Sequence, residues 1–239
     1  MSDLLECVVD AHGGLDTWNR LEKVQGQFSI GGAIWVFKGV ADVFRDVTIT
    51  ADLHSERISI GPISGEPNRS VFAEHRLELR TDTDTVLEIR DDPRQSMGDL
   101  PYDAQWDALH AAYFASEAWW TYLTAPFLFT YPGFHAEEVE PFHEDGTSYR
   151  TLKVSFPPDV DSHTSEQFFH YREDGLLHRH TYTVDILNGA TGANYPSDFR
   201  TVDGIAVPFT RRIYGYDDDG QKVPEPLLVS LDVREVRFS

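Results

Sequence analysis

The stretch from Glu166 to Ile186, EQFFHYREDGLLHRHTYTVDI, decides how the rest of the chain is read. Asp174-Gly175 lies between two alternating runs, a strong short-range signal for a β-hairpin. Side chains alternate along a strand, so Leu176, His178, His180, Tyr182, Val184 and Ile186 share one face of the second run. Leu177, Arg179, Thr181, Thr183 and Asp185 share the other. The first set is assigned to the interior, which points two histidines and a tyrosine inward. A two-residue turn pairs Tyr171 with His178, Phe169 with His180 and Gln167 with Tyr182, leaving Glu166, His170 and Arg172 outside. A three-residue loop would shift the register by one and bring His170 in. The polarity pattern favours the shorter turn, so the expectation is an inward cluster of Gln167, Tyr171, His178, His180 and Tyr182.

Outward from the hairpin, the same alternation recurs. In Ile205 to Ile213 one face carries Ile205, Val207, Phe209, Arg211 and Ile213. Arg211 is thereby placed on an apolar side, where an unpaired cation costs several kcal/mol, an order-of-magnitude penalty. It requires a carboxylate, carbonyls or an anionic ligand; Asp185 and Asp198 are the acidic residues considered. Leu152, Val154 and Phe156 mark a strand before Pro157-Pro158, and Leu227 to Phe238 the last strand. Asn188 to Asp198, NGATGANYPSD, reads as a loop.

Towards the N-terminus, Val24 to Ile89 breaks into short apolar or alternating runs, among them Ile34–Phe37, Val43-Phe44, Val47–Leu53 and Ile58–Ile60, punctuated by Gly, Pro and Asp. That spacing predicts an antiparallel meander rather than βαβ units. Ser2 to about Leu21 is helical in pattern, with His12 at a C-terminal end where a cation is favoured. Asp91 to Asp103 is a polar connection. AQWDALHAAYFASEAWWTYL then predicts a helix, capped by Asp103 and ended by Pro126. Its aromatic side chains, Tyr113 and Trp120 among them, either pack on the sheet or line a cavity for a flat or greasy ligand.

The expected architecture is a mainly β (α+β) single domain over 1–239. It comprises an N-terminal helix (1–22), a meander (23–90), an aromatic helix (103–125) and a second meander (149–239), as one curved antiparallel sheet or incomplete barrel with helices in the concave face. The chain has 239 residues, 41% of them hydrophobic and 13% aromatic, which is ample for one core. Forty acidic against twenty basic residues give a net charge of −20, which argues against nucleic acid and anionic membranes as partners. The single cysteine, Cys7, excludes an internal disulfide and is read as packing. The N-terminus shows no basic and apolar leader pattern, and no apolar run is long enough to insert in a bilayer; a cytoplasmic location is expected. The pattern leaves the oligomeric state open.

The stretches AHGGLDTW (11–18), WWTYLTAPFLF (119–129) and EDGLLHRHTYTV (173–184), with the order helix, meander, aromatic helix, meander, resemble the LolA-like lipoprotein-carrier superfamily and its uncharacterised actinobacterial relatives. The resemblance covers most of the chain and implies a curved, incomplete β-barrel whose concave face holds helices and an apolar ligand. The sequence departs from secreted carriers in lacking a signal peptide and a lipidation cysteine context.

The chemistry leaves more than one function open. Gln167, Phe169, Tyr171, Tyr113 and Trp120 are candidates for holding an apolar or aromatic small molecule. His178 and His180, with Tyr182 and Arg211, are candidates for cofactor-independent acid–base work as a lyase, isomerase or cyclase. His178-x-His180 also has the spacing of a metal pair, yet a catalytic zinc site needs a third ligand and the chosen register keeps His170 outside, so no metal is assigned. His54, His75, His110, His135, His143 and His163 are scattered. Without a P-loop, a G-x-S-x-G elbow or a G-x-G-x-x-G turn, no cofactor is indicated.

Overall fold

A computed structural model describes residues 2–98 and 100–239. In chain order the elements are α1 (Asp3–Ala11), α2 (Leu15–Trp18), β1 (Lys23–Gly31), α3 (Ala33–Phe37), β2 (Val47–Asp52), β3 (Arg57–Gly61), β4 (Asn68–Ala73), β5 (Arg76–Thr81), β6 (Val86–Asp91), α4 (Pro93–Gly98) and α5 (Ala108–Thr124). Then follow β7 (His135–Glu144), β8 (Thr147–Ser155), β9 (Glu166–Tyr171), β10 (Leu177–Val184), β11 (Ala190–Val202), β12 (Ile205–Tyr216), β13 (Lys222–Val223) and β14 (Val229–Phe238).

The strands form one open antiparallel sheet in the order β6-β5-β4-β3-β2-β1-β14-β12-β11-β10-β9-β8-β7, with β13 beside β12. The chain walks from β1 to the edge at β6, crosses the concave face as α5, and resumes at the opposite edge with β7. Because α5 is the crossover, both its flanks meet side chains: Tyr113, Trp119, Trp120 and Tyr122 are all buried. The edge strand β7 is charged and carries Pro141 beside a register shift between Val139 and Phe142, devices that discourage pairing with another chain. No helix among the described residues is long and apolar enough to cross a membrane.

Several expectations are corrected. Ile34–Phe37 is the helix α3 rather than a strand, and Val43-Phe44 lies in turns; a short apolar run has no period to tell the two apart. The strand β7 falls where no strand was expected, because its charged, solvated residues carry no buried face. NGATGANYPSD is no loop: most of it is β11, held on both sides by β10 and β12. The cap of α5 is Asp107, in a reciprocal box with His110, not Asp103. Cys7 is exposed. His12 does end α1, but its Nδ1 lies 2.7 Å from Val8 O in a buried setting, and burial lowers its pKa to about 4. It therefore stands as a neutral ring.

The hairpin of β9 and β10 carries the main correction. Its loop has three residues, closed by Gly175 N to Arg172 O and Arg172 N to Leu176 O, with Gly175 at φ +78° where a side chain would be strained. Tyr171 therefore pairs with Leu177. One bulge then interrupts the ladder between Leu177 and Arg179 and cancels the shift, restoring the expected pairing of Phe169 with His180. The extra residue is His178. It turns to the outer face, whereas Leu177 turns inward.

Candidate functional site

The concave face has a polar centre within an apolar wall. His180 stacks on its cross-strand neighbour Phe169 at 4.0 Å between ring centroids, and its Nε2 is 2.6 Å from Gln167 Oε1. Two positions along β10, Tyr182 OH meets Tyr122 OH of α5 at 2.6 Å. On β12, Arg211 Nη2 donates to Tyr122 O at 2.9 Å and the guanidinium carbon lies 4.9 Å from the Tyr122 ring centroid. Asn194, directly across the ladder from His180, is wholly buried with neither amide atom hydrogen-bonded. The structure thus brings together Gln167, Phe169, His180, Tyr182 and Arg211, and adds Tyr122 and Asn194.

Burial sets the protonation states. It holds the His180 pKa well below the ordinary range, helped by the Arg211 charge, so the imidazole is neutral. It pushes Tyr182 well up and Tyr122 up to about 12, so both phenols keep their protons. Arg211 falls to about 10 and stays a cation at neutral pH. Neither Asp185 nor Asp198 serves it: the first pairs with Arg94 and the second with Arg200.

Two apolar cavities flank this centre. The first is lined by His12, Phe169, Tyr171, Leu177, His180 and Arg211 among others; the second by Trp35, Phe114, His163, Tyr182 and Gly192 among others. Trp119 and Tyr122 border both, forming a wall between them. Counted out to their mouths the cavities enclose about 830 and 630 Å³, but the centre of a water molecule can range over only about 40 and 80 Å³. Tyr113 and Trp120 border neither. They pack α5 on the sheet, Tyr113 edge-on to Phe72 and Trp120 donating Nε1 to Asp52 O. Four residues further along the helix from Ala115, Trp119 takes the cavity-facing part instead.

Gly192 is required by the close approach of Tyr182, since a Cβ there would stand 2.4 Å from Tyr182 Cε2. Gly192→Ala is expected to lift the ring, break its bond to Tyr122 and cost about 1–3 kcal/mol in urea unfolding, the usual range for overpacking. An unchanged midpoint would show that the ring has room to move.

Beside the second cavity lies a dyad hidden from the sequence pattern. His163 Nδ1 is 2.6 Å from Glu117 Oε1, and Arg94 Nη1 reaches Glu117 Oε2 at 3.3 Å. His163 sits between Phe114 and Tyr182, at ring-centroid distances of 4.9 and 5.0 Å. Nearby, Asp161 accepts from Tyr113 OH and pairs with His75, and gives its backbone N–H to Glu56 Oε2. Burial raises the Glu56 pKa well above the ordinary carboxyl range, and its Oε1 has no partner.

His178 belongs to another network on the outer face. Its Nε2 is 2.8 Å from Glu144 Oε2, and it stacks on Tyr149 at 3.8 Å. With His180 facing the opposite way, the two rings cannot share one ion, and among the described residues no three His, Cys, Asp or Glu side chains group to hold a metal.

No family model and no curated protein matches the sequence. Solved structures do. A DUF1329 family protein from Desulfovibrio piger aligns over 99% of this chain and 92% of its own at a TM-score of 0.56 with 11% identity. A LolA superfamily protein from Nitrosomonas europaea aligns over 99% and 92% at 0.55 with 10% identity. An outer membrane lipoprotein-sorting type domain from Vibrio parahaemolyticus aligns over 94% and 89% at 0.52 with 9% identity. The open antiparallel sheet, its crossover helix and these likenesses together identify the chain as having the LolA-like fold.

Proposed function

We propose that the protein binds an apolar or aromatic small molecule between α5 and the sheet, in a pocket formed when the two cavities join. The observation that carries this reading is the shared wall: among the described residues only Trp119 and Tyr122 border both apolar spaces. As they stand the cavities hold a few water molecules at most, since one water needs about 10–15 Å³ of such space. Ligand pockets run to several hundred Å³, so a guest of a dozen or more heavy atoms requires these two rings to swing. Access is suggested at the second cavity, where Tyr102 lines the space and the exposed Phe37 ring lies beside it. The lipoprotein-sorting description of the Vibrio domain agrees with an apolar guest.

The test is native mass spectrometry of untagged, gently purified protein with metal analysis on the same sample, followed by titration with an environment-sensitive naphthylamine probe. The expected result is a co-purifying apolar compound, or probe binding that quenches tryptophan fluorescence more in the wild type than in Trp119→Phe, where Trp35 still lines the second cavity. A bare chain that takes up no probe would sink the reading.

A second reading, cofactor-independent acid–base catalysis by a lyase, isomerase or cyclase, is favoured by the Glu117-held His163 and the tyrosine pair on one cavity. His180 suits the part of base less well, because a neutral ring with a strongly lowered pKa is a weak proton acceptor. Turnover of the identified guest, lost in His163→Gln with binding retained, would establish it; a guest that stays unchanged on prolonged incubation would exclude it.

A further inference from the structure

We infer that the guest is an anionic amphiphile, an apolar body ending in a carboxylate that docks on Arg211. The inference rests on the cavity reading above and deepens it by naming the head group. Arg211 is a buried guanidinium with no carboxylate partner among the described residues, and it lines the first apolar cavity. Of the five N–H donors an arginine carries, one is used, to Tyr122 O. Nε, Nη1 and the second N–H of Nη2 have no partner among the described residues, and neither Nε nor Nη1 is sealed off as Arg179 Nη2 is; that second Nη2 N–H makes a parallel donor pair with Nε or with Nη1 in a residue that lines the cavity.

A purely structural account covers part of this. Tyr122 O is one of the last carbonyls of α5, left without an intrahelical partner, and a cation near a helix C-terminus is favourable. That role needs one donor and a nearby charge. It gives no reason for a fork of free donors facing an apolar space, and a lysine on the surface would serve as well. The planar fork matches a carboxylate in two parallel hydrogen bonds, a match an ammonium does not offer.

Asn194, one strand from Arg211, is sealed from the cavity, and His180 spends its one ring proton on Gln167 Oε1, so neither adds a donor for the head group. There is no acidic side chain among the residues lining the first cavity, so nothing there opposes an anion. The opposing influence is remote: the net charge of −20 repels an anion at long range, and salt screens it. The occupant is thus expected to bind faster as salt rises, the reverse of an electrostatically steered ligand.

The test compares tetradecanoic acid with tetradecan-1-ol by tryptophan fluorescence and calorimetry at pH 7.5, in wild type, Arg211→Met and Arg211→Lys. The wild type is expected to prefer the acid by about tenfold or more, the size of a charge-assisted hydrogen bond. Arg211→Met is expected to bind both equally with its alcohol affinity retained, and Arg211→Lys to keep part of the preference. Equal binding of acid and alcohol by the wild type would overturn the head-group assignment while leaving the cavity reading in place. A preference that survives in Arg211→Met would move the anion site elsewhere and overturn it too. Binding of neither compound would bring down the cavity reading itself. The wild-type comparison stands even if a variant fails to fold.

Discussion

Glu144→Ala is expected to lower the unfolding free energy by about 3–5 kcal/mol, the cost of stranding a buried charge. Arg179 is wholly buried on the outer face of the sheet, and Glu144 is its carboxylate: Nη1 donates to Glu144 Oε1 at 2.9 Å. The same oxygen accepts from Tyr195 OH at 2.6 Å, and the other oxygen meets His178 Nε2 at 2.8 Å. These contacts hold the Glu144 pKa below the ordinary value against the opposing effect of burial. Arg179 also donates Nε to Thr181 Oγ1 and lies 4.7 Å from the Phe142 ring centroid. Removing the carboxylate leaves a cation with no counter-charge and two further donors orphaned. Arg179→Met should be milder, about 1–2 kcal/mol, because Glu144 keeps Tyr195 and His178 and the thioether fills the same slot. Combining Glu144→Gln with Arg179→Met should be less damaging than Glu144→Ala alone, since no buried charge remains unmatched. Urea midpoints at constant m-value measure all three. A loss below about 1 kcal/mol for Glu144→Ala would mean the pair behaves as a solvated surface bridge, and the outer network would then be no part of what holds β7 to β10.

That outer network is the part of the molecule least legible in the sequence. Alternation placed Gln167, Phe169, His180, Tyr182 and Arg211 on the concave side, because period two is a local property of the strand. It misplaced His178 because a three-residue loop and a one-residue bulge cancel three residues later, and neither leaves a mark in polarity. Val202 pairs with Ile205 across the two residues Asp203-Gly204. The strand β11 was not legible: Gly192, Asn194 and Pro196 look like loop residues, and only the neighbouring strands make them a ladder. His163 and Glu117 lie 46 residues apart, and a contact of that span has no periodicity. The available signal was a single glutamate within a helix apolar on every side. A charge there must find a partner, and the scattered histidines were the place to look.

Acid is expected to unfold the protein between about pH 6 and 4, before most carboxylates titrate. Three histidines are buried neutral: His12 with a pKa lowered to about 4, His170 to about 3, and His180 well below the ordinary value, burial being the first cause in each. In the unfolded chain each titrates near 6.5. As pH falls below that value the unfolded state takes up protons the folded state refuses, so the histidine contribution is lost down to the folded pKa values and is constant above about pH 7. Each histidine contributes a slope of up to about 1.4 kcal/mol per pH unit. Glu56 acts in the opposite sense: its raised pKa lets the folded state hold a proton that the unfolded chain releases above about pH 4.5, which cancels the slope of one histidine. The net loss is therefore about 2–3 kcal/mol per unit, enough to exhaust a stability of 5–15 kcal/mol within a few units. Urea midpoints taken at pH 7, 6 and 5 read this directly. His180→Phe, which keeps a ring over Phe169, should flatten the dependence by one proton, and Glu56→Gln should steepen it by one. A midpoint constant from pH 7 to 5 would show that these rings reach water or counter-charge in the folded state, and the neutral, dry setting claimed for His180 beside Arg211 would fall with it.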